Sequence, residues 1–258
     1  NPTEQPIDGI ALLQTARRSK VQGFGAGAAF NHGGITESVE LLCVPGVYPQ
    51  DLFVIASPSP TQGVIRVRAE VRNASGKAVS GTVGLTVSSG RSGETTAFRQ
   101  LNREWQPGVT TVDAELAVDN PHLWDLGDPY LYRVTARVGS ADSADFAETS
   151  VRCGFRDFRF TDGYFRLNGR RVFPKSAHTC NHFPIGLQFP RDPDLLRRDL
   201  LNMKVMGFNM VRFIWDGATR VQLDLCDEIG LLVYEESYAA VPLEMSEQMG
   251  ARFDAAGL

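Results

Sequence analysis

Between Gly63 and Val151 the chain alternates. The segments VIRVRAEVRN (64–73), TVGLTVSS (82–89), TTVDAELAV (110–118) and LYRVTARV (131–138) place apolar residues at every second position, and Asn, Gly, Ser or Pro bounds each one. That period puts one face of a strand in a core and the other in water, which predicts antiparallel sheets packed on a single core. Several such strands in roughly 90 residues fit an immunoglobulin-like β-sandwich, and the missing Cys…Trp…Cys spacing disfavours an antibody-type domain. From Asp192 the period changes to that of a helix. Asp192 suits an N-cap, Pro193 the N1 position and Asp194 the positive end of the helix dipole; Leu196, Leu200 and Met203 make an apolar stripe, and Gly207 supplies the C′ residue. The β-prone run FNMVRFI follows, then a second stripe of Val221, Leu225 and Ile229 stopped by Gly230, then LLVYEE. Helices alternating with buried strands predict parallel βα units, so the fold class is multidomain, β and then α/β. Both strands end in polar or charged residues, Arg212, Trp215 and Asp216 on one and Glu235 and Glu236 on the other, where barrel and open-sheet enzymes place their sites.

The flanks are less regular. Residues 1–56 read as extended segments broken by Gly and Pro, with GFGAGAAFNHGG loop-like and VELLCV and DLFVIA as candidate strands. Beyond the sandwich, FRDFRFTDGYFRLNGRRVF holds two turn signals, Asp162-Gly163 and Asn168-Gly169, and predicts two small hairpins. RRVFPKS is then the first strand of the parallel layer, although Pro174 is poorly tolerated in a central strand. After Glu236, PLEMSEQMGARFDAA has helical composition.

Composition changes this picture little. The 258 residues are 43% apolar and 22% charged, enough for two or three cores. A net charge of −4 with no long Lys or Arg run gives no surface for nucleic acid or anionic lipid. No apolar run reaches the length of a membrane span, and NPTEQPIDG lacks the regions of a signal peptide; an export signal would lie upstream of Asn1. The expected partner is a small neutral molecule, and a homo-oligomer is left open. Cys43, Cys153, Cys180 and Cys226 are far apart and form no CxxC pair, which argues against zinc; Cys226 reads as an inert buried thiol, and a nucleophilic Cys180 is disfavoured.

Several stretches resemble glycoside hydrolase family 2, the β-galactosidases, β-glucuronidases and β-mannosidases. They are HGGITESVELL (32–42), NPHLWDLGDPYLYRV (120–134), GFRDFRF (154–160), FRLNGRRVF (165–173), and MGFNMVR followed by LCDEIGLLVYEE, in the family's order. The resemblance implies three domains: 1–56 as the C-terminal part of a jelly-roll sugar-binding-type domain, 57–153 as an immunoglobulin-like β-sandwich, and 154–258 as the N-terminal part of a (β/α)8 TIM-barrel catalytic domain. A closed barrel needs eight βα units in roughly 250 residues, so most of it would lie elsewhere. The implied activity is hydrolysis of O-glycosidic bonds at a non-reducing-end sugar by a two-glutamate double displacement. Retention needs two carboxyls about 5 Å apart. Glu235 and Glu236 fail that test, because successive strand residues point to opposite faces. The family takes its pair from barrel strands four and seven, beyond Leu258, so no catalytic residue is assigned here.

Substrate contacts remain. By the resemblance, Arg212 lies beneath the sugar and orients the nucleophile; a structural ion pair is the alternative. Trp215 stands where relatives carry a His, and is either an aromatic platform or a packing residue, which puts ordinary β-galactosidase specificity in doubt. Asp216 either accepts from sugar hydroxyls or caps the next helix. Glu236 is favoured over Glu235 for the inward position, with a salt bridge to Arg212 as the plainer reading. His178, Asn181 and His182, in the loop after strand one, read as hydroxyl contacts. Asn31 and His32 are weaker candidates for the sugar site, and His122 and Trp124 read as packing or turn residues. Ala239 and Ala240 replace the oxygen ligands of magnesium-dependent relatives, so neither metal nor cofactor is expected.

The competing class is a non-catalytic carbohydrate-binding or adhesion protein built from β-sandwiches. An unrelated phosphate-binding enzyme is disfavoured because GFGAGAAF lies between no clear strand and helix.

Overall fold

The computed structural model describes residues 39–59, 61–141, 145–179, 192–214 and 217–236. Seven strands form the sandwich: β1 (Val47–Ser57), β2 (Gln62–Asn73), β3 (Val79–Ser89), β4 (Thr95–Trp105), β5 (Gly108–Asp119), β6 (Tyr132–Ser140) and β7 (Phe146–Cys153). One antiparallel sheet has the order β1-β2-β5, the other β4-β3-β6-β7. Inward residues from both sheets make one core: Ile65, Val67, Ala69 and Val71 of β2, Val83, Leu85 and Val87 of β3, Val112 to Val118 on alternate positions of β5, and Val134, Ala136 and Val138 of β6. The alternation in the sequence is therefore the inside–outside pattern of this sandwich. On the outer face of the first sheet, Arg66 and Arg68 pair with Glu115 and Asp113 across the ladder.

VELLCV is not a strand: residues 39–45 have no regular structure, and Val39, Leu41 and Leu42 are exposed. DLFVIA lies in β1, which crosses the 56/57 boundary drawn from the sequence and packs in the sandwich core. β4 and β7 have no counterpart in the alternating segments; both are edge strands, and β4 turns only Ala97, Leu101 and Trp105 toward the core.

After the sandwich a three-stranded meander, β8 (Phe158–Thr161), β9 (Tyr164–Leu167) and β10 (Arg170–Val172), forms the two hairpins. Asp162, Gly163, Asn168 and Gly169 all have φ between 51° and 80°, as type I′ turns require. RRVFPKS does not form the first parallel strand. Its Arg170–Val172 belongs to the meander, Phe173–Lys175 is irregular around Pro174, and the parallel strand starts at Ser176. The cause is the missing N–H and fixed φ of proline.

The parallel sheet is β11 (Ser176–Thr179), β12 (Met210–Phe213) and β13 (Leu232–Glu235), with β12 central. Helix α1 (Pro193–Val205) connects the first two and α2 (Arg220–Ile229) the last two. Asp192 Oδ1 accepts from the amides of Asp194 and Leu195, and Gly207 (φ 90°) closes α1 with Phe208 N–H on Met203 O at 3.1 Å, a Schellman ending. α2 starts at Thr219, whose hydroxyl and Gln222 form a reciprocal capping box. The cap is therefore Thr219 and not Asp216. Its buried stripe is Gln222, Leu225, Cys226 and Ile229, while Val221 is exposed.

Trp124 joins the sandwich to the parallel layer. It is buried, its Nε1–H donates to Asp227 O of α2 at 2.8 Å, and its carbonyl accepts from Asn168 Nδ2 at 2.9 Å. With Leu167, Met210 and Leu232 it forms a small second core.

Candidate functional site

Parallel strands carry their sites at their C-terminal ends, and here register does the positioning. His178 of β11 lies opposite Arg212 of β12, and Arg212 opposite Tyr234 of β13, so the three share one row on one face. Met210 and Leu232 lie one step below on that face, buried against Trp124 and Leu167. Val211 and Phe213 alternate to the other face and are fully buried. The strand sequence MVRF thus anchors both faces with apolar groups and lifts one guanidinium clear of them.

Arg212 NH2 donates to Glu236 Oε1, just past the end of β13, and its guanidinium lies over the Tyr234 ring, 5.0 Å from the centroid. The pair is partly screened: the Arg212 side chain is 42% exposed and that of Glu236 20%. Arg212 Nε is shut off from solvent and has no acceptor among the described residues. A buried, charged N–H left in this way is a donor in want of an acceptor. The imidazole of His178 is exposed and makes no hydrogen bond among the described residues.

The adjacent glutamates go to different partners. Glu235 Oε1 accepts from the Ala218 amide at 3.0 Å and holds the turn that leads into α2, whereas Glu236 holds Arg212. Of the residues singled out from the sequence, the structure therefore brings together His178, Arg212 and Glu236. Asn181, His182, Trp215 and Asp216 lie outside the described residues, as do Asn31, His32, Cys180, Ala239 and Ala240. Tyr234 is an addition. Its signal was present, because LLVYEE at period two puts Leu232, Tyr234 and Glu236 on one face.

His122 and Trp124 stand apart from this row. His122 stacks on Tyr130 (centroids 4.3 Å, 16°) and its Nε2 lies 2.5 Å from Asp128 Oδ2. Arg91 binds the same carboxylate, and the hydrogen bonds from Arg91 and then His122 hold Asp128 below the ordinary carboxylate range. Burial pushes the thiols of Cys153 and Cys226 up to about 12, which makes both poor nucleophiles. Among the described residues, no three His, Cys, Asp or Glu side chains are grouped to hold a metal ion, and no helix is long and apolar enough to cross a membrane.

The fold is shared with large glycosyl hydrolases. A family 2 member from Bacteroides cellulosilyticus superposes with a TM-score of 0.70 over 80% of this chain and 29% of its own, at 20% identity. The β-glucuronidase of Parabacteroides merdae superposes with a TM-score of 0.66 at 29% identity, over 74% of this chain and 24% of its own. Residues 47–156 match glycosyl hydrolases family 2, and a β-galactosidase of Vibrio cholerae serotype O1 is 34% identical over 122 residues, 47% of this chain and 12% of that enzyme. The chain spans about an eighth of that β-galactosidase and about a quarter of the β-glucuronidase.

Proposed function

We propose that the chain is part of a retaining β-glycosidase that removes a non-reducing-end sugar from a glycoside. The observation that carries this reading is the row of His178, Arg212 and Tyr234 closed by Glu236 at the ends of parallel strands, in a chain whose residues 47–156 match family 2. In this reading 154–258 begins a (β/α)8 barrel whose interior is the face bearing that row. Residues 47–153 are its immunoglobulin-like domain, and the residues before Val47 the end of a jelly-roll domain.

The division of labour follows from the chemistry. Two glutamates on later strands, beyond Leu258, supply acid/base and nucleophile about 5 Å apart. The exposed part of the Arg212 guanidinium is placed to donate to a sugar hydroxyl or to the nucleophile carboxylate. Glu236 and the Tyr234 ring fix the guanidinium plane, so the donor is aimed before substrate arrives. His178, with Asn181 and His182, contacts hydroxyls; Trp215 offers its ring to the apolar face of the sugar and Asp216 accepts from its edge. The printed names of the relatives, β-galactosidase and β-glucuronidase, support a β-linked hexoside or hexuronide as substrate.

The test is hydrolysis of a panel of p-nitrophenyl β-D-glycosides by the protein carrying the residues that follow Leu258. Arg212→Ala is expected to lower kcat/KM by about 100-fold, the scale of one lost preorganised donor. Undiminished kcat/KM in that variant would remove Arg212 from the site.

A further inference from the structure

We propose a second ligand site, independent of the glycosidase reading, in the cleft where the sandwich meets α2: a site for a small oxyanion, a carboxylate or sulfate group. The cleft has a volume of about 260 Å³ and is lined by Arg91, Arg133, Arg152 and Glu228, with Pro129 and Leu131 as its apolar wall. Three guanidinium groups line it, and three carboxylates and Arg197 pair with groups of its wall. Arg91 is matched by Asp128, and Arg152 by Asp224 and Glu228; Glu228 also takes Arg197. Arg133 is the third arginine of the cleft wall, and its side chain makes no ion pair or hydrogen bond among the described residues.

Its position is adverse without an anion. Arg133 on β6 lies directly opposite Arg152 on β7. Like charges in that relation repel across roughly 5 Å. The repulsion turns into a binding site when an oxyanion sits between the forks, since guanidinium groups present paired N–H donors that match carboxylate and sulfate oxygens. Arg152 is already held by two carboxylates and Arg91 by Asp128 and the Tyr130 ring, so two of the three forks are fixed before the ligand arrives. One unmatched positive charge fits one anionic group.

The test titrates the full chain with sodium sulfate and, separately, with D-glucuronate, following arginine side-chain N–H resonances, with sodium chloride at equal ionic strength as the reference. Saturable shifts at Arg133 and Arg152 with both probes indicate a general oxyanion site; shifts at least tenfold tighter with glucuronate indicate a sugar-borne carboxylate. Arg133→Gln is expected to weaken binding about tenfold or more, as loss of one charge-assisted hydrogen bond requires. Arg66→Gln, on the outer face of the other sheet, is expected to leave it unchanged. Linear, unsaturable shifts equal to those with chloride, or equal affinity in Arg133→Gln, would overturn the site.

Discussion

Lys204 shows how much a single side chain can organise. Its ammonium reaches from α1 to the carbonyls of Leu126, Ile229 and Gly230, which joins the sandwich loop to the C-terminal end of α2. The Ile229 and Gly230 carbonyls lie at the end of α2, where a helix leaves carbonyls without an internal partner, and a cation there complements the dipole. Lys204→Met keeps the apolar stem and removes the donors, so a loss of about 2 kcal/mol in urea unfolding is expected. Asp128 gives the pH dependence. Its folded pKa is depressed, first by the Arg91 hydrogen bond and then by His122. Its contribution is therefore present above the ordinary carboxylate pKa and is lost as pH falls through the lower folded value. Asp128→Asn should lower Tm at pH 7, and the deficit should shrink at acid pH as the parent carboxyl takes up its proton. An equal Tm deficit at both pH values would mean that charge is not the cause.

At the scale of elements, glycine positions show where close approach is required. A Cβ on Gly81 of β3 would lie 2.2 Å from Gly139 O and 2.6 Å from Trp105 Nε1. Both obstacles are rigid, one backbone and one a fully buried indole. Gly81→Ala should cost about 2 kcal/mol through overpacking, measured by chemical unfolding. The α2 cap is milder: Thr219→Ala, which breaks the box with Gln222, should cost about 1 kcal/mol.

The same elements show what a sequence can reveal. Strands β2, β3, β5 and β6 were legible because they are central or core-facing along their length, so burial wrote an alternating pattern into them. β4 was not, because an edge strand faces water on most sides and TTAFRQLNREW needs only three inward residues. Thr219 was overlooked although Thr-x-x-Gln is a capping signature, because Asp216 offered a competing cap three residues earlier. In the site, Arg212 and Glu236 were each visible at a strand end. The support of the guanidinium by Tyr234 depends on the register of β12 against β13, which no local pattern encodes.

At the scale of the molecule, the parallel layer leans on the sandwich. Its three strands hold only four residues each, and Met210 and Leu232 find their core with Trp124, from the loop that follows β5. Arg152 adds ion pairs to Asp224 and Glu228, and burial at Glu228 is outweighed by its hydrogen bonds to Arg197 and Arg152, which hold its carboxyl below the usual range. Trp124→Ala should therefore cost about 4 kcal/mol and uncouple the two parts. In hydrogen exchange, peptides from 192–214 and 217–236 should lose protection ahead of those from 64–73 and 131–138. Uniform loss across both sets would contradict the seam.

The central claim is that this chain serves a retaining β-glycosidase, and stereochemistry tests it most directly. Proton NMR of the anomeric region, recorded in the first minutes of hydrolysis of the best p-nitrophenyl β-glycoside by the protein carrying the residues after Leu258, reads the first-formed anomer before mutarotation. The account predicts the β-anomer first, with the α-anomer growing in later. Initial appearance of the α-anomer, or sugar binding with no turnover of any β-glycoside, would contradict it.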